Sequence, residues 1–332
     1  MTADLIAALN ESTQRVNVLL DEMLSGQRPE ELYKGSRHLV EAGGKRLRPF
    51  ITLESCKLVG GDPEKALPMA VAVELIHNFT LVHDDIMDMD HLRRGVPTVH
   101  VLYGVPLAIN AGDMLFAKAY EAALRSCSRG VPLRKILSAL EILTKTTIAI
   151  CEGQTMDMAF EKRDDVGEEE YMVMIEKKTA ALLVASAEAG AIVGGGSARQ
   201  VRRLGRAMRA SGLAFQIVDD VLGVTADEKV LGKPVGNDIR EGKRTLILIH
   251  SLKHAGKRQR ETLLKALGNR DATPEEIERA IETLKSTGSI DYALRKTGVL
   301  IRRAKRELEG FPPSETRDLL VALVDYIVAR DR

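Results

Sequence analysis

The chain has 332 residues, enough for one large domain or two smaller ones with a substantial buried core. Hydrophobic residues make up 45% and charged residues 29%, and 48 Lys and Arg against 47 Asp and Glu leave a formal charge of +1, without the basic excess of a nucleic-acid binder. Cys56, Cys127 and Cys151 are widely spaced and form no CxxC pair, which excludes a zinc or disulfide framework and suits core cysteines in a reducing compartment. Apolar runs are interrupted at Glu74, His77 and Glu188, and the N-terminus has no basic-then-apolar signal pattern, so a cytoplasmic protein without stable membrane insertion is expected.

Nearly every segment has helical period, and strand-like alternation is nearly absent, which predicts an all-α fold. Residues 3–24 are amphipathic through Leu5, Leu9, Val16, Leu19, Leu20 and Met23, and 30–42 continue in the same way. Gly43-Gly44-Lys45-Arg46-Leu47-Arg48-Pro49 then breaks the pattern. Its glycines let backbone approach a ligand and its cations follow at once, although a helix-linking turn with surface charge has the same composition. The GxxxxGK[ST] spacing of a P-loop is missing. A helix over 50–59 follows, and Asp62-Pro63 caps the next, with Asp as N-cap and Pro in the first turn.

That next helix, residues 66–90, is the centre of the chain. It is apolar from Leu67 to Ile76 except for Glu74, then carries HNFTLVHDDIMDMDHLRRG. Helical spacing puts His77, Thr80, Leu81, Asp84 and Asp88 in one column, with Asp85 offset and Asp90 and Asp113 as further acids. Carboxylates one turn apart repel unless a cation lies between them. Oxygen-only ligands suit Mg²⁺, which takes one or two carboxylates and completes its shell with phosphate oxygens. Arg93 and Arg94 follow at once, shaped to fork phosphate oxygens. Acid, metal and arginine together describe a diphosphate site, whereas a bare DDxxD alone also suits a solvated helix end.

Helices are predicted at 105–127 and 132–162, the second containing Gly153-Gln154-Thr155-Met156-Asp157. A charged break leads to a helix over 168–190 that includes Lys177, Lys178 and Thr179, and the Gly194–Gly196 loop carries no function. The helix over 198–222 is apolar enough for a core yet carries Gln216, Asp219 and Asp220, and buried charge of that kind calls for a metal or a cation partner. A loop over 223–245, rich in glycine and charge, offers Lys233, Lys243 and Arg244 to a phosphate as a lid would. Further helices are expected near 245–254, 258–267, 275–287, 289–309 and 314–330, with a capping box at Thr273-Pro274-Glu275-Glu276. No repeat, low-complexity tract or Pro/Ser linker divides the chain, so a single domain over 1–332 is expected.

GGKRLRP at 43–49, HDDIMDMDHLRRG at 83–95, GQTMD at 153–157, KTA at 178–180, FQIVDDVLG at 215–223 and GKPVGNDIREGKRT at 232–245 resemble, in order and spacing, the trans-type isoprenyl diphosphate synthases of the polyprenyl synthetase family, in the form of its archaeal geranylgeranyl diphosphate synthases. The resemblance spans about residues 30–330, and YIVARDR at 326–332 also looks like that family's C-terminus. It implies an isoprenoid-synthase-type bundle of about 12–14 helices around a central cavity, assembled as a homodimer or larger homo-oligomer, with both acidic motifs at the cavity mouth. By the same resemblance Asp84 and Asp88 ligate two Mg²⁺ and Asp219 a third, all on the diphosphate of an allylic substrate, with Asp85 and Asp220 in support. Arg93, Lys178, Lys233 and Gln216 would contact that diphosphate or its metal shell, Lys243 would add a cation, and Thr179 with backbone carbonyls would face the carbocation. Lys45, Arg48, His77 and Arg94 would hold isopentenyl diphosphate in a second pocket that receives no metal.

The resemblance has one departure: Gly223 stands where many relatives have a third Asp, so Asp219 carries more of the metal or Asp220 or Asp227 compensates. Product length would be set by bulk below the metals. Phe79, five residues before Asp84, with the small Thr80 after it, suggests a C20 product, although an aromatic on a buried helix is also ordinary core. Farnesyl or mixed C15/C20 synthesis, a longer-chain synthase, a terpene cyclase and a non-catalytic partner subunit are the rival functions. A cyclase binds one diphosphate and does not need Lys45, Arg48 and Arg94 as a second set, and a partner subunit would have lost acids beyond position 223.

Overall fold

The computed structural model describes residues 2–26, 28–225 and 235–328. Nearly all of them are helical, as the periodicity predicts. Contacts gather the chain into two compact units. The first comprises residues up to Thr147 with Leu182–Arg206 and Glu307–Leu323; the second comprises Ile148–Ala181, Ala207–Arg306 and residues from Val324 on.

In the first unit, α1 (Ala3–Leu24) starts at Thr2, whose hydroxyl accepts from the Leu5 N–H, and buries the stripe Leu5, Leu9, Val16, Leu19, Leu20 and Met23. α2 spans Glu30–Glu41 and α3 Leu47–Leu58, three residues earlier than the sequence suggests, because Arg46 adopts a left-handed conformation (φ 45°) as its N-cap. α4 (Pro63–Met87) opens as predicted, the Asp62 carboxylate accepting from the Glu64 N–H at 2.9 Å. By length and composition α4 could cross a membrane, despite Glu74 and His77, but 72% of its apolar window is buried inside the protein. Glu74, the one acid in that run, is fully compensated: Arg46 donates to it at 2.9 Å and Asn78 at 3.2 Å. Arg46 also donates to Asn17 and to the Val40 carbonyl, so this cation of the Gly43–Pro49 stretch is a fastener between α2, α3 and α4. Removing one partner of such a buried pair costs about 3–5 kcal/mol.

After α4, Leu92–Arg93 (β1) and Val96–Pro97 (β2) pair antiparallel, Leu92 opposite Pro97 and Arg93 opposite Val96. Arg94 and Gly95 turn the hairpin with positive φ (54° and 78°), the two-residue geometry that matches strand twist. α5 (Val99–Tyr103) and α6 (Val105–Arg125) complete this part, and α6 packs closely on α4 because a side chain at Gly112 would collide with the His83 ring. α7 (Leu133–Phe160) and α10 (Ala198–Thr225) each contain a boundary between the units.

In the second unit the predicted helix 168–190 is interrupted. α8 (Glu168–Ile175) passes through a π-turn, Glu176–Ala180, before α9 (Ala181–Gly194). The inserted residue turns the following face by about 100° without ending the helix, so no break signal marks it, yet it falls on Lys178 and Thr179, and such turns cluster at functional sites. The predicted loop over 223–245 holds a short helix, α11 (Asn237–Glu241). α12 (Leu246–His254), α13 (Lys257–Ala266), α14 (Pro274–Ser286, with the Thr273–Glu276 capping box), α15 (Ser289–Leu308) and α16 (Glu315–Val328) follow. The core here joins Tyr171, Ile217, Val221, Leu246, Leu263 and Ile277. Of the cysteines only Cys56 is core, its thiol pushed up to about 12 by burial; Cys127 and Cys151 are exposed, contrary to expectation.

Candidate functional site

At the C-terminal end of α4 the acids separate into different environments. Asp84 and Asp88 are half-buried, and Asp88 is the C-cap, its N–H on the Asp84 carbonyl at 2.8 Å, which keeps the two one turn apart. Asp85 is buried and accepts from Arg93 Nε at 2.7 Å, while Asp90 accepts from Arg93 Nη2 at 3.1 Å. Burial alone would weaken the Arg93 charge, but Asp85, Asp90 and Asp84 outweigh it and raise its pKa. Asp85 thus orients the arginine across the hairpin.

Arg94 is held by neutral acceptors: Nη1 donates to the Leu39 carbonyl at 2.6 Å and to the Gly43 carbonyl. Gly44 permits this, since a Cβ there would lie 3.2 Å from the guanidinium carbon. Burial lowers the Arg94 pKa and the neighbouring Arg46 and Arg93 add to that. His77 sits among these cations. Burial first, then Arg48, Arg94, Arg46 and Arg93, push its pKa far below the ordinary range, so its ring is neutral. Lys45 is exposed and Arg48 half-buried at the same break. His77, Arg48 and Arg94 therefore belong to one cationic cluster of the first unit, with Arg46 withdrawn into Glu74.

Phe79 is half-buried and packs edge-on against His83 (4.9 Å between centroids) and tilted against Phe116 (5.1 Å). Phe116 in turn meets Tyr120 at 5.1 Å, and the Tyr120 hydroxyl pairs with Thr144 at 3.2 Å. Phe116 and Tyr120 were not read as site residues, although their i, i+4 spacing on α6 presents two rings on one face. The Thr80 hydroxyl donates to the His77 carbonyl at 2.8 Å.

In the second unit a cavity of about 130 Å³ is lined by Asp157, Tyr171, Lys178, Thr179, Gln216, Asp219, Asp220, Asp238, Lys243 and Arg244. Only one of the acidic pair on α10 is buried: Asp219 is exposed, whereas Asp220 accepts from the Tyr171 hydroxyl at 2.6 Å and from Gln216 Nε2 at 2.9 Å. Burial, Asp238 and Asp219 push the Asp220 pKa well up, against those two hydrogen bonds. Gln216 is fixed from the other side by Thr179, whose hydroxyl donates to Oε1 at 2.7 Å. The cation partner that a buried acid calls for is found at Asp157 instead, which pairs with Lys178 at 2.5 Å and Lys243 at 3.3 Å. Burial works against that carboxylate's charge, but the two lysines outweigh it and hold its pKa below the usual range. Asp157 thus belongs to the site, and the signal for it was Gly153, where a Cβ would collide with the Lys178 backbone.

Arg244, offered by the sequence to a phosphate, is buried and tied to Asp164 at 2.9 Å and to the Phe160 carbonyl. Beside Gly223 the Asp238 carboxylate lies 3.2 Å from where a Cβ would stand. Lys233 and Asp227 lie outside the described residues. Among the described residues no group of three or more His, Cys, Asp or Glu side chains is gathered as a protein-only metal cage. Half-buried Asp84 and Asp88 and exposed Asp219 fit the other mode, in which a hard cation takes one or two carboxylates and fills its shell with phosphate oxygens and water.

An all-helical fold with Asp84 and Asp88 at a helix end, arginines clustered around His77, and lysines lining a cavity with Asp219 and Asp220 offers the groups that a metal-bound diphosphate calls for. Over residues 29–284 the chain matches the family described as polyprenyl synthetase. It is 44% identical over 331 residues to a geranylgeranyl diphosphate synthase of Methanosarcina mazei, covering 100% of this chain and 99% of the relative. The structure is similar to geranylgeranyl pyrophosphate synthetase from Pyrococcus horikoshii (TM-score 0.92, 45% identity, 98% of each chain). It is also similar to a Caulobacter crescentus polyprenyl synthase solved with calcium and isoprenyl diphosphate (TM-score 0.90, 33% identity, 99% and 98% covered). The protein belongs to the polyprenyl synthetase family.

Proposed function

We propose that the protein is a trans-prenyltransferase that condenses isopentenyl diphosphate head to tail with allylic diphosphates, and that its main product is geranylgeranyl diphosphate. The observation that carries this reading is a cationic cluster, neutral His77 with Arg48 and Arg94, distinct in chemistry from the carboxylates of α4 and α10. A terpene cyclase, with one diphosphate to bind, has no use for it.

In this reading Asp84 and Asp88 would hold two Mg²⁺ and Asp219 a third, in keeping with the calcium and isoprenyl diphosphate bound by the Caulobacter crescentus relative. Mg²⁺, when bound, neutralises the allylic diphosphate as a leaving group. Arg93, aimed by Asp85 and Asp90, and Lys178 and Lys243, aimed by Asp157, add fixed positive charge where negative charge develops. Lys233 joins them. Gln216 and Thr179 form a neutral hydrogen-bonded pair that presents oxygen to the allylic carbocation without attacking it. Lys45, Arg48, His77 and Arg94 hold isopentenyl diphosphate so that its double bond attacks before water does. The released diphosphate takes up the proton lost from the adduct.

Phe79, backed by Phe116 and Tyr120, limits the growing chain, with Thr80 leaving room above it. Farnesyl or mixed C15/C20 synthesis is the alternative. We further propose a cytoplasmic homodimer, supported by the exposed apolar side chains Leu102, Val105 and Ile109 along α5 and α6. Incubation with labelled isopentenyl diphosphate and each allylic primer, followed by sizing of the dephosphorylated alcohols, tests the reading: C20 alcohol is expected, and no consumption of isopentenyl diphosphate would overturn it.

A further inference from the structure

We propose that His38, on α2, is a positioning residue for isopentenyl diphosphate binding: it fastens the return strand of the β1–β2 hairpin to α2 and so holds Arg94 in place. The inference rests on the assignment of Arg94 to that substrate and adds a residue that acts through it.

α2 ends at Glu41, and the carbonyls of a helix's last turn lack partners within the helix. Those of His38 and Val40 are met by the N–H groups of Ala42 at 3.0 Å and Gly43 at 3.2 Å. The Leu39 carbonyl accepts from Arg94 Nη1 at 2.6 Å, and the Val40 carbonyl also accepts from Arg46 Nη2 at 2.6 Å. The negative end of the helix dipole thus seats both guanidinium groups. Arg94 Nη1 donates to the Gly43 carbonyl as well, so both of its N–H bonds go to α2 and the turn that follows it.

A side chain that must also meet a ligand is a poor anchor for the turn that carries it, and the hairpin register shows where a separate tie is made. Arg93 and Val96 flank the two-residue turn and form the hydrogen-bonded pair, which makes Leu92 opposite Pro97 the open pair. The ladder resumes where the Thr98 N–H donates to the His91 carbonyl at 3.0 Å. Pro97 has no N–H, and as a member of the open pair its carbonyl points off the outer edge of the ribbon. His38 Nε2 lies 2.7 Å from that carbonyl. A carbonyl only accepts, so Nε2 carries the proton and donates. The imidazole is seated edge-on to Tyr103 of α5, with centroids 6.5 Å apart and planes at 75°.

α2 therefore grips the hairpin through consecutive residues, His38 donating to β2 and Leu39 accepting from the turn. Arg93 is anchored elsewhere, by Asp85 and Asp90 beyond and within the end of α4. Loss of the His38 contact falls on Arg94 and leaves Arg93 its carboxylates.

Calorimetric binding to the full chain of isopentenyl diphosphate, and of a non-ionisable allylic thiodiphosphate with Mg²⁺, tests this. His38→Phe keeps a ring beside Tyr103 but has no donor. It should weaken isopentenyl diphosphate binding roughly 3- to 10-fold, the scale of one lost hydrogen bond, with the allylic analogue and the Tm little changed, and His38→Leu should do the same. His38→Gln, whose amide nitrogen can reach the Pro97 carbonyl, should restore binding. In an Arg94→Ala background His38→Phe should cost no further affinity, since the two act as one unit. Unchanged binding in His38→Phe and His38→Leu, an equal loss for both ligands, no rescue by His38→Gln or a full second loss in the double variant would overturn the positioning role and leave the proposed function standing. A wild type that binds no isopentenyl diphosphate would overturn both.

Discussion

The cluster around His77 and the cavity around Asp157 both hold cations in place, and they do so in opposite ways. Arg94 is held by backbone carbonyls, and the histidine beside it is kept neutral, so neither is tied up in a carboxylate hydrogen bond. In the second unit four aspartates line a cavity with two lysines and one arginine, and Lys178 and Lys243 are held by a carboxylate. Carbonyl-held arginine can bind a diphosphate directly; an aspartate-rich wall repels one until divalent cations intervene. In the proposed function that difference assigns the metal-borne diphosphate to the aspartate side and the metal-free one to the arginine side.

The largest expected effect is on the metal-dependent side. Asp84→Ala or Asp219→Ala should cut kcat by roughly 10²–10³, the scale of losing a transition-state charge stabiliser, measured at saturating Mg²⁺; near-normal turnover would remove these carboxylates from the metal. Next comes the metal-free side. Arg94→Ala should raise KM for isopentenyl diphosphate about 10-fold or more, since a charge-assisted hydrogen bond is worth roughly 1.5–3 kcal/mol, with KM for the allylic partner little changed. Parallel rises in both would erase the distinction between the pockets.

Phe79→Ala should shift product beyond C20, and Phe79→Ala with Phe116→Ala further still, read by chromatography of the alcohols. An unchanged length in both would return the aromatic ladder to ordinary core. The smallest effect concerns pH. The folded state lowers the His77 pKa from its ordinary 6.5, so below that pH the unfolded chain binds a proton that the folded chain refuses. Stability should therefore fall as pH drops below 6.5, and the Tm of His77→Asn should fall less steeply; identical profiles would mean that His77 is not held neutral.

Much of this was legible in the sequence because helices announce themselves through period and caps. Asp62-Pro63 and Thr273-Pro274 start helices where expected, and α6, α7 and α12 fall within two residues of their predicted limits. Asp84, Asp88 and Asp219 stand where a ligand can reach them. Pairings distant in sequence were less legible. Arg46, one of three cations in the Gly43–Pro49 break, finds its partner in Glu74, 28 positions away. Arg244 likewise turned inward to Asp164, 80 positions away. Asp157 belongs to the site through Lys178 and Lys243, which reach it from 21 and 86 positions away. The hairpin that aims Arg93 and Arg94 is too short for alternation to reveal, and the π-turn at Lys178 and Thr179 continues the helix without a breaker residue to announce it.

The most direct measurement is calorimetric binding of isopentenyl diphosphate, and separately of a non-ionisable allylic thiodiphosphate, with Mg²⁺ and with chelator. Isopentenyl diphosphate should keep its affinity within a few-fold when metal is removed, while the allylic analogue should lose measurable binding. Equal metal dependence for the two ligands would contradict the division of labour between the pockets.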